Sequence, residues 1–207
     1  MHTLPRILTI ALAAAGLAAC TSAYTGPVEV TRFVAQDQTA LGQGPIVIYF
    51  PDEISNQNAK AAIGTAVQAE LRALGYSIVD QEGPGIQVAA IRTSRNPITA
   101  ATRSRGPVSV GVGAGTGSYG SGVGVGLGVD LGGGRSAPNA ISELSVRITA
   151  PGGQTLWEGR ANQAISVDSP YADVDASARA LSAALFRDFP GGNGETVTIE
   201  VDDLAQN

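Results

Sequence analysis

The fold is decided by a stretch in which apolar and polar residues alternate, Ala140-Ile-Ser-Glu-Leu-Ser-Val-Arg-Ile-Thr149. After it come the turn Pro151-Gly-Gly-Gln154 and the segment Thr155-Leu-Trp-Glu-Gly-Arg-Ala161. Apolar residues recur at every second position of the first segment, which is the pattern of a strand buried on one side. A short Pro-Gly turn between two such segments predicts an antiparallel β-hairpin.

A helix and a last strand are predicted after this hairpin. Asp168 or Ser169 is expected to cap the helix, with Pro170 near its start. Apolar residues at three- and four-residue steps form one face of it: Val174, Ala178, Leu181, Leu185 and Phe189. Pro190 ends the helix, and the segment 195–201 predicts a closing strand.

The N-terminal half predicts a strand–helix–strand unit. Strands are predicted at 28–34 and 45–50, and Ser55 is expected to cap a helix that runs to Leu74. Gly75 supplies the stop, and strands at 76–80 and 86–92 follow. Together with the C-terminal third, this predicts the fold class α+β. We expect a mostly antiparallel sheet of about six to eight strands, with two amphipathic helices packed on one face.

The residues 106–134 contain 13 of the 27 glycines, and they follow an ordered pattern. Valine and leucine alternate with small residues on both sides of a turn-rich connection, which predicts a long glycine-rich β-hairpin. Three interpretations stay open. In the first, the face of the hairpin that carries almost no side chains packs on another backbone or is exposed. The second is an insertion or assembly element, and the third is a mobile segment. The run Gly115-Thr-Gly-Ser-Tyr-Gly120 fits a dinucleotide-binding pattern in letters only, because no helix is predicted after it.

Four arginines precede the glycine-rich residues: Arg92, Arg95, Arg103 and Arg105. No acidic residue occurs between Glu82 and Asp130, so this segment is basic within an acidic chain. Guanidinium groups suit bidentate contact with phosphate or carboxylate. The cluster predicts either a solvated loop that pairs with acidic residues elsewhere or a contact for anionic lipid headgroups.

The N-terminal stretch from Arg6 to Cys20 has the pattern of an export signal. A basic start is followed by an apolar run that is too short to span a membrane as a helix. The residues Leu17-Ala-Ala-Cys20 resemble the lipobox of bacterial lipoproteins, in which the cysteine is acylated, commonly with palmitate, and becomes the first mature residue. Thr21 stands where an aspartate would resemble an inner-membrane signal, which favours the outer membrane. An ordinary cleaved signal with an unmodified thiol is the alternative.

These patterns divide the chain into a signal peptide (1–19), a lipidated tether (20–27) and one α+β domain (28–203) with an insertion at 106–134. Without the leader, 12 basic residues stand against 18 acidic ones, and no histidine remains because His2 is the only one. The acidic balance is unfavourable for nucleic acid. The missing histidine excludes a Ser-His-Asp triad and a histidine metal site in the mature chain. No cofactor or metal is predicted.

Carboxylates are the remaining reactive groups. They occur as three close pairs: Asp52 with Glu53, Asp173 with Asp175, and Asp202 with Asp203. A pair supports hydrolysis only if two carboxyl groups face each other across a cleft. Each pair is also typical of a turn, a helix start or a solvated surface. We therefore predict no catalytic residue and no enzymatic activity, with a carboxylate-dependent cell-wall hydrolase as the weaker alternative.

Three features occur in a fixed order along the chain: the lipobox, a strand with Leu156-Trp157-Glu-Gly159, and a helix that ends in Phe189-Pro190. In this order they resemble a family of small bacterial lipoproteins that is defined only as a domain of unknown function. The resemblance spans residues 28–201 and implies a location in the outer membrane or periplasm. It supplies no catalytic residues. Trp157 is predicted to anchor the core, with stacking on a ligand as the alternative.

The sequence thus predicts a lipid-anchored envelope protein at the periplasmic face of the outer membrane. It is expected to act as a binding or structural module. Its expected partners are the membrane, anionic envelope lipids or another envelope protein, and not nucleic acid. A subunit of an envelope complex that assembles through the 106–134 hairpin is the alternative.

Overall fold

The computed structural model describes residues 23–98 and 138–204, and these form seven strands and two helices. The strands are β1 (Thr25–Val34), β2 (Gly44–Tyr49), β3 (Tyr76–Val79), β4 (Gln87–Pro97), β5 (Ala140–Thr149), β6 (Thr155–Ile165) and β7 (Thr196–Ile199). The helices are α1 (Gln57–Ala73) and α2 (Val174–Phe186), and short 3₁₀ helices lie at Pro170–Ala172 and Val201–Leu204. The predicted leader, Cys20 and the predicted hairpin at 106–134 lie outside the described residues.

The strands form one sheet in the order β3-β2-β4-β5-β6-β1-β7. Strand β2 pairs in parallel with β3 and with β4, and the other four strand pairs are antiparallel. The parallel pair β2–β3 follows from α1, which carries the chain back along the sheet before β3 begins. The predicted fold class, α+β with a mostly antiparallel sheet, is confirmed.

One face of the sheet carries the core, and both helices pack on it. Within the described residues, one hydrophobic cluster joins strands and helices, and its members include Leu144, Val146, Ile148, Val67, Leu71, Leu181 and Leu185. The other face, which we call the open face, is largely polar. There, Arg147 Nε lies 2.8 Å from Glu158 Oε2 across the β5–β6 pair. Alternation along each strand therefore separates an apolar face from a charged one.

Helix α1 is capped by Asn56 and not by Ser55 as predicted. The Asn56 side-chain oxygen accepts a hydrogen bond from the Ala59 backbone N–H at 3.1 Å, which satisfies a free donor of the first turn. At the other end, Gly75 has a φ of 105°, and a Cβ there would lie 2.6 Å from the Gly42 carbonyl oxygen. The predicted glycine stop is confirmed, and only glycine fits it without strain.

Helix α2 is shorter than predicted at both ends. Ser169 caps a separate 3₁₀ helix, and α2 begins only after Asp173, whose side chain accepts the Ala176 backbone N–H at 2.9 Å. The extended backbone of Asp173 separates the two segments, since an aspartate side chain can replace a helical hydrogen bond with a local one. The helix ends before the predicted Phe189 because the Arg187 backbone is extended, with ψ at 133°.

Several strand boundaries also differ from those predicted. Strands β4 and β6 are longer, because they pair with β5 along its whole length, up to Pro97 and Ile165. Strand β1 begins at Thr25, so the predicted tether 20–27 overlaps it. Strand β7 is shorter than the predicted segment 195–201, because Val201 already belongs to a 3₁₀ helix.

Trp157 is fully buried, which confirms the prediction of a core anchor. Its ring stacks on Phe186 at 5.4 Å between centroids and contacts Phe189 at 5.2 Å. Its Nε1–H donates to the Pro190 carbonyl oxygen at 2.9 Å. Gly159 lies two residues further on the same face, where a Cβ would lie only 2.7 Å from Trp157 Cζ2. The Trp-x-Gly pattern is therefore a packing unit, in which the glycine leaves room for the ring.

Arg32 is a buried cation on the core side of β1, with 5% of its surface exposed. Its Nε donates to the Leu185 carbonyl oxygen at 3.1 Å. Its Nη2 donates to the carbonyl oxygens of Ala184 at 3.1 Å and Arg187 at 2.7 Å. These carbonyls lie at the C-terminal end of α2, where no further helical turn supplies donors. Arg32 therefore caps α2 from the neighbouring sheet.

Candidate functional site

One end of the sheet gathers several chain segments, and we call it the Tyr24 end. The register aligns Pro97, Ala140, Ile165 and Thr25 in one row across β4, β5, β6 and β1. Beyond this row, the Ile98 N–H donates to the Asn139 carbonyl oxygen at 2.8 Å. The Ser166 N–H donates to the Tyr24 carbonyl oxygen at 2.9 Å, and the Tyr24 N–H donates to Ser166 Oγ at 3.1 Å. The described chain starts here, and both borders of the segment 99–137 lie here as well.

Both helices begin at the Tyr24 end. Helix α1 follows β2 and α2 follows β6, and Ala59 and Val174 from their first turns line one cavity. Residues of β4 and β5 form the floor of this cavity under the two helices. The free N–H groups of a first turn give each helix end a partial positive charge. One residue from the start of each helix therefore borders the same small cavity.

The cavity has a volume of about 80 Å³, and most of its walls are apolar. The main apolar contributions come from three elements: Ile63 of α1, Leu144 of β5 and Leu181 of α2. Polar side chains also line it, among them Arg95, Ser142 and Ser177. Arg95 is exposed, whereas Ser142 and Ser177 have exposed fractions of 5% and 7%. The lining thus combines an exposed cation, two buried hydroxyls and an apolar wall.

The polar lining residues differ in how fully they are hydrogen-bonded. Arg95 Nη1 donates to the Ala172 carbonyl oxygen at 2.8 Å, which holds the guanidinium beside the start of α2 and leaves its other N–H groups for a further partner. Thr93 Oγ1 donates to the Glu143 carbonyl oxygen at 2.9 Å. Five buried side-chain oxygens have no hydrogen-bond partner among the described residues, and Ser142 Oγ is the one whose residue lines this cavity. Such a hydroxyl is uncommon, because burial removes the water that would otherwise bind it.

The structure does not bring together the two described arginines of the predicted anion contact. Arg92 lies on the open face, with its Nε 3.2 Å from Asp52 Oδ2. Arg95 lies three residues further along β4, and it therefore points to the helix-covered side and lines the cavity. Arg103 and Arg105 lie outside the described residues. A joint contact of all four with lipid headgroups stays a prediction.

The three carboxylate pairs lie on loops and helix starts. Asp52 pairs with Arg92, Asp173 caps α2, and Asp175 is exposed in the first turn of that helix. Asp202 and Asp203 lie in the last 3₁₀ helix. Within residues 23–98 and 138–204, no three His, Cys, Asp or Glu side chains are grouped to hold a metal ion. In the same ranges, no helix has the length and apolarity needed to cross a membrane.

Sequence interpretation missed several polar residues at core-facing positions, and Ser142 and Arg32 are two of them. Ser142 alternates in phase with Leu144 along β5, and Arg32 alternates in phase with Val30 along β1. A polar residue in the buried phase of a strand needs a partner, because its desolvation is unfavourable. That mismatch is visible in the sequence and marks both residues as unusual. The partners of Arg32 lie in and just after the distant helix α2 and become visible only in the folded structure, whereas Ser142 Oγ has none among the described residues.

Comparisons with known proteins give only weak likenesses. No family model matches the chain, and no curated protein matches it. A crystal structure of a PDZ domain protein from Parabacteroides distasonis ATCC 8503 is 14% identical, with a TM-score of 0.47. The match covers 84% of this chain, and this chain spans only 39% of that protein. A PelC dodecamer from Paraburkholderia phytofirmans is 12% identical, with a TM-score of 0.35 and coverage of 76% and 94% of the two chains. Both scores are too low for either likeness to bear on what this chain binds or does.

Proposed function

We propose that the mature chain is a lipid-anchored envelope protein that acts as a binding or structural module and not as an enzyme. An acylated Cys20 would hold it at the periplasmic face of the outer membrane. The order of basic start, short apolar run and Leu17-Ala-Ala-Cys20 supports export and acylation. Two or more acyl chains give stable attachment where one chain would be marginal.

The observation that carries this proposal is the short distance along the chain between Cys20 and the folded domain. Tyr24 is already fixed to Ser166 by two hydrogen bonds, and only three residues separate it from Cys20. An extended chain of this length spans at most about 14 Å. A lipid on Cys20 would therefore hold the Tyr24 end, with its cavity and both helix starts, next to the membrane surface.

Exposed apolar side chains at the Tyr24 end also support a nearby membrane. Ile98, Ile141 and Val167 are exposed, and each follows or adjoins the row of residues that forms this end. An apolar rim beside an attachment point suits contact with the interfacial region of a bilayer. The predicted contact of Arg95 with anionic headgroups would come from the same end.

The lipid anchor is tested by the mass and location of the mature protein. We expect a mature N-terminus at Cys20 that carries acyl groups, and outer-membrane fractionation of the protein. Cys20→Ser is expected to abolish both acylation and cleavage, since the thiol is the group that is acylated. Thr21→Asp is expected to keep the acyl groups and move the protein to the inner membrane, whereas the control Ser22→Ala changes neither. A free Cys20 thiol, or cleavage at another residue, would overturn the proposal.

A second candidate function is that of an assembly subunit, and the borders of the glycine-rich segment favour testing it. The Ile98 N–H binds the Asn139 carbonyl oxygen, so the chain leaves and re-enters the sheet at adjacent points. A deletion within that segment should therefore leave the sheet intact.

Deletion of residues 107–131 separates the two candidate functions. If the protein is a membrane-held module, light scattering of the detergent-solubilised full chain should show a monomer before and after the deletion. The melting temperature should also stay the same, because the deletion retains every residue of the described core. A change from oligomer to monomer on deletion would favour the assembly subunit instead.

A further inference from the structure

We propose that the cavity at the Tyr24 end binds a small carboxylate with a short apolar tail. The carboxylate would lie between the Arg95 guanidinium and the Ser142 hydroxyl, and the tail would lie against Ile63, Leu144 and Leu181. This inference goes beyond the proposed function and does not need the lipid anchor. The anchor can be absent while the cavity binds its ligand, and the reverse also holds.

The size of the cavity limits the ligand. One buried water takes up about 10–15 Å³ of cavity volume on the same measure. A cavity of about 80 Å³ therefore accommodates roughly six non-hydrogen atoms. A carboxylate with a tail of about three carbons has this size. The terminal residue of a peptide with a small side chain supplies the same chemistry, because it ends in a carboxylate beside a short apolar group.

Ser142 is the strongest indication that this cavity binds a polar group. Its Oγ is buried, lines the cavity and has no partner among the described residues. A serine hydroxyl can donate one hydrogen bond and accept two, and native structures satisfy nearly all such buried groups. A carboxylate oxygen in the cavity would accept the hydroxyl proton as a hydrogen bond. Ser177, which is also buried, offers a second hydroxyl on the opposite wall.

The charges around the cavity favour an anion. Arg95 uses one N–H for the Ala172 carbonyl, so a carboxylate can accept from its remaining N–H groups. The first turns of α1 and α2 add a smaller positive potential, because the Asn56 and Asp173 side chains already accept one N–H of each turn. Asp173 and Asp175 oppose this, but both are exposed, and the Asp173 carboxylate already accepts a backbone N–H at 2.9 Å.

The apolar walls distinguish this ligand from an inorganic anion. Ile63, Leu144 and Leu181 are buried, and they cannot replace the water that a phosphate or sulfate would lose. An alkyl tail gains from the same surface, because it leaves water for an apolar wall. The site should therefore prefer a monocarboxylate with a tail over phosphate. It should also prefer this carboxylate over an uncharged amide of the same shape, because the amide lacks the charge that pairs with Arg95.

The test is a titration of the ¹⁵N-labelled full chain, in neutral detergent, followed by NMR. Butyrate is the probe for a free acid, and N-acetyl-alanyl-alanine is the probe for a peptide terminus. Butyramide and inorganic phosphate are the controls for charge and for the tail. We expect saturating shifts of the Val174 and Ser177 amides with at least one carboxylate probe. Butyramide and phosphate should bind at least about tenfold more weakly.

Variants of the lining residues locate the site. Arg95→Gln is expected to weaken binding of the carboxylate at least about tenfold, because a charge-assisted pair is lost. Ser142→Ala should weaken it several-fold and raise the melting temperature of the free protein, since an unpaired buried hydroxyl is removed. Arg160→Gln on the open face is the matched control and should bind as the wild type does. Tryptophan fluorescence verifies that each variant is folded.

Three results would overturn the proposal. The first is the absence of saturating shifts with both carboxylate probes, and the second is equal affinity for butyramide or phosphate. The third is unchanged binding by a folded Arg95→Gln variant. Saturation with N-acetyl-alanyl-alanine alone would identify a peptide terminus as the source of the carboxylate, and saturation with butyrate alone would identify a free acid.

Discussion

Replacing Trp157 with alanine is expected to lower the free energy of unfolding by about 3–5 kcal/mol. The side chain is fully buried, so its removal leaves a cavity at the place where β6 meets α2. The stacked contact with Phe186 and the tilted contact with Phe189 are lost as well. The Pro190 carbonyl oxygen also loses the donor that now lies 2.9 Å away. All these losses act on the same small cluster, which gives the substitution its large effect.

Two further variants separate the contributions to this effect. Trp157→Phe keeps an aromatic ring but loses the Nε1–H donor, and it is expected to cost about 1–2 kcal/mol. Phe33→Ala is the matched control, because Phe33 pairs with Glu158 in the neighbouring strand and has 56% of its surface exposed. It should change stability by no more than about 0.5 kcal/mol. Urea denaturation followed by circular dichroism measures all three, since Trp157 is the only tryptophan. Equal costs for Trp157→Ala and Phe33→Ala would contradict the anchoring role.

The parts of the fold that sequence predicts well are those in which a local pattern carries the information. Strand β5 is found at the predicted residues, because one face is apolar at every second position and a Pro-Gly turn follows. Helix caps are harder to predict from the sequence, since several nearby residues can act as the cap. Ser55 and Asn56 are both good capping residues, as are Ser169 and Asp173. Local propensity cannot choose between such neighbours, whereas the packing of the helix on the sheet does.

The candidate site could not be assembled from the sequence, because its residues come from four separate elements. Only the fold places the first turns of α1 and α2 over β4 and β5. Arg95 was recognised as a candidate anion contact, but its neighbours in the sequence suggested a cluster of arginines. The structure instead puts Arg92 on the opposite face and Ser142 beside Arg95. A strand distributes successive side chains to opposite faces, so proximity in the sequence predicts little about a shared site.

Replacing Arg32 with methionine is expected to cost about 3 kcal/mol of unfolding free energy. Methionine retains much of the length of the side chain but donates no hydrogen bond. The carbonyl oxygens of Ala184, Leu185 and Arg187 then lose their shared donor. Each buried group left without a partner costs about 1–3 kcal/mol, and water can reach part of this set. Loss of a cation from the negative end of the α2 dipole adds to the effect.

Arg147→Met is the matched control for Arg32→Met. Both residues lie in strands, but Arg147 is on the open face and pairs with Glu158 at 2.8 Å, with 43% of its side chain exposed. An exposed ion pair contributes about 0–1 kcal/mol, so this variant should remain close to the wild type. Arg32→Lys tests geometry, since an ammonium group restores the charge but cannot span three carbonyls as a guanidinium does. It should recover less than half of the loss. Urea denaturation followed by Trp157 fluorescence measures all three variants.

The comparison decides whether Arg32 is retained for its hydrogen bonds or for its charge. Burial lowers the pKa of Arg32, and the carboxylates of Asp188 and Glu195 oppose this effect. An arginine stays protonated at neutral pH in spite of such a shift, because its ordinary pKa is far above 7. Burial therefore removes water from a charged guanidinium, which is unfavourable. The hydrogen bonds to the three carbonyl oxygens at the end of α2 compensate for this loss. If Arg32→Lys were as stable as the wild type, charge alone would be sufficient. If Arg32→Met cost no more than Arg147→Met, the end of α2 would not depend on this cap.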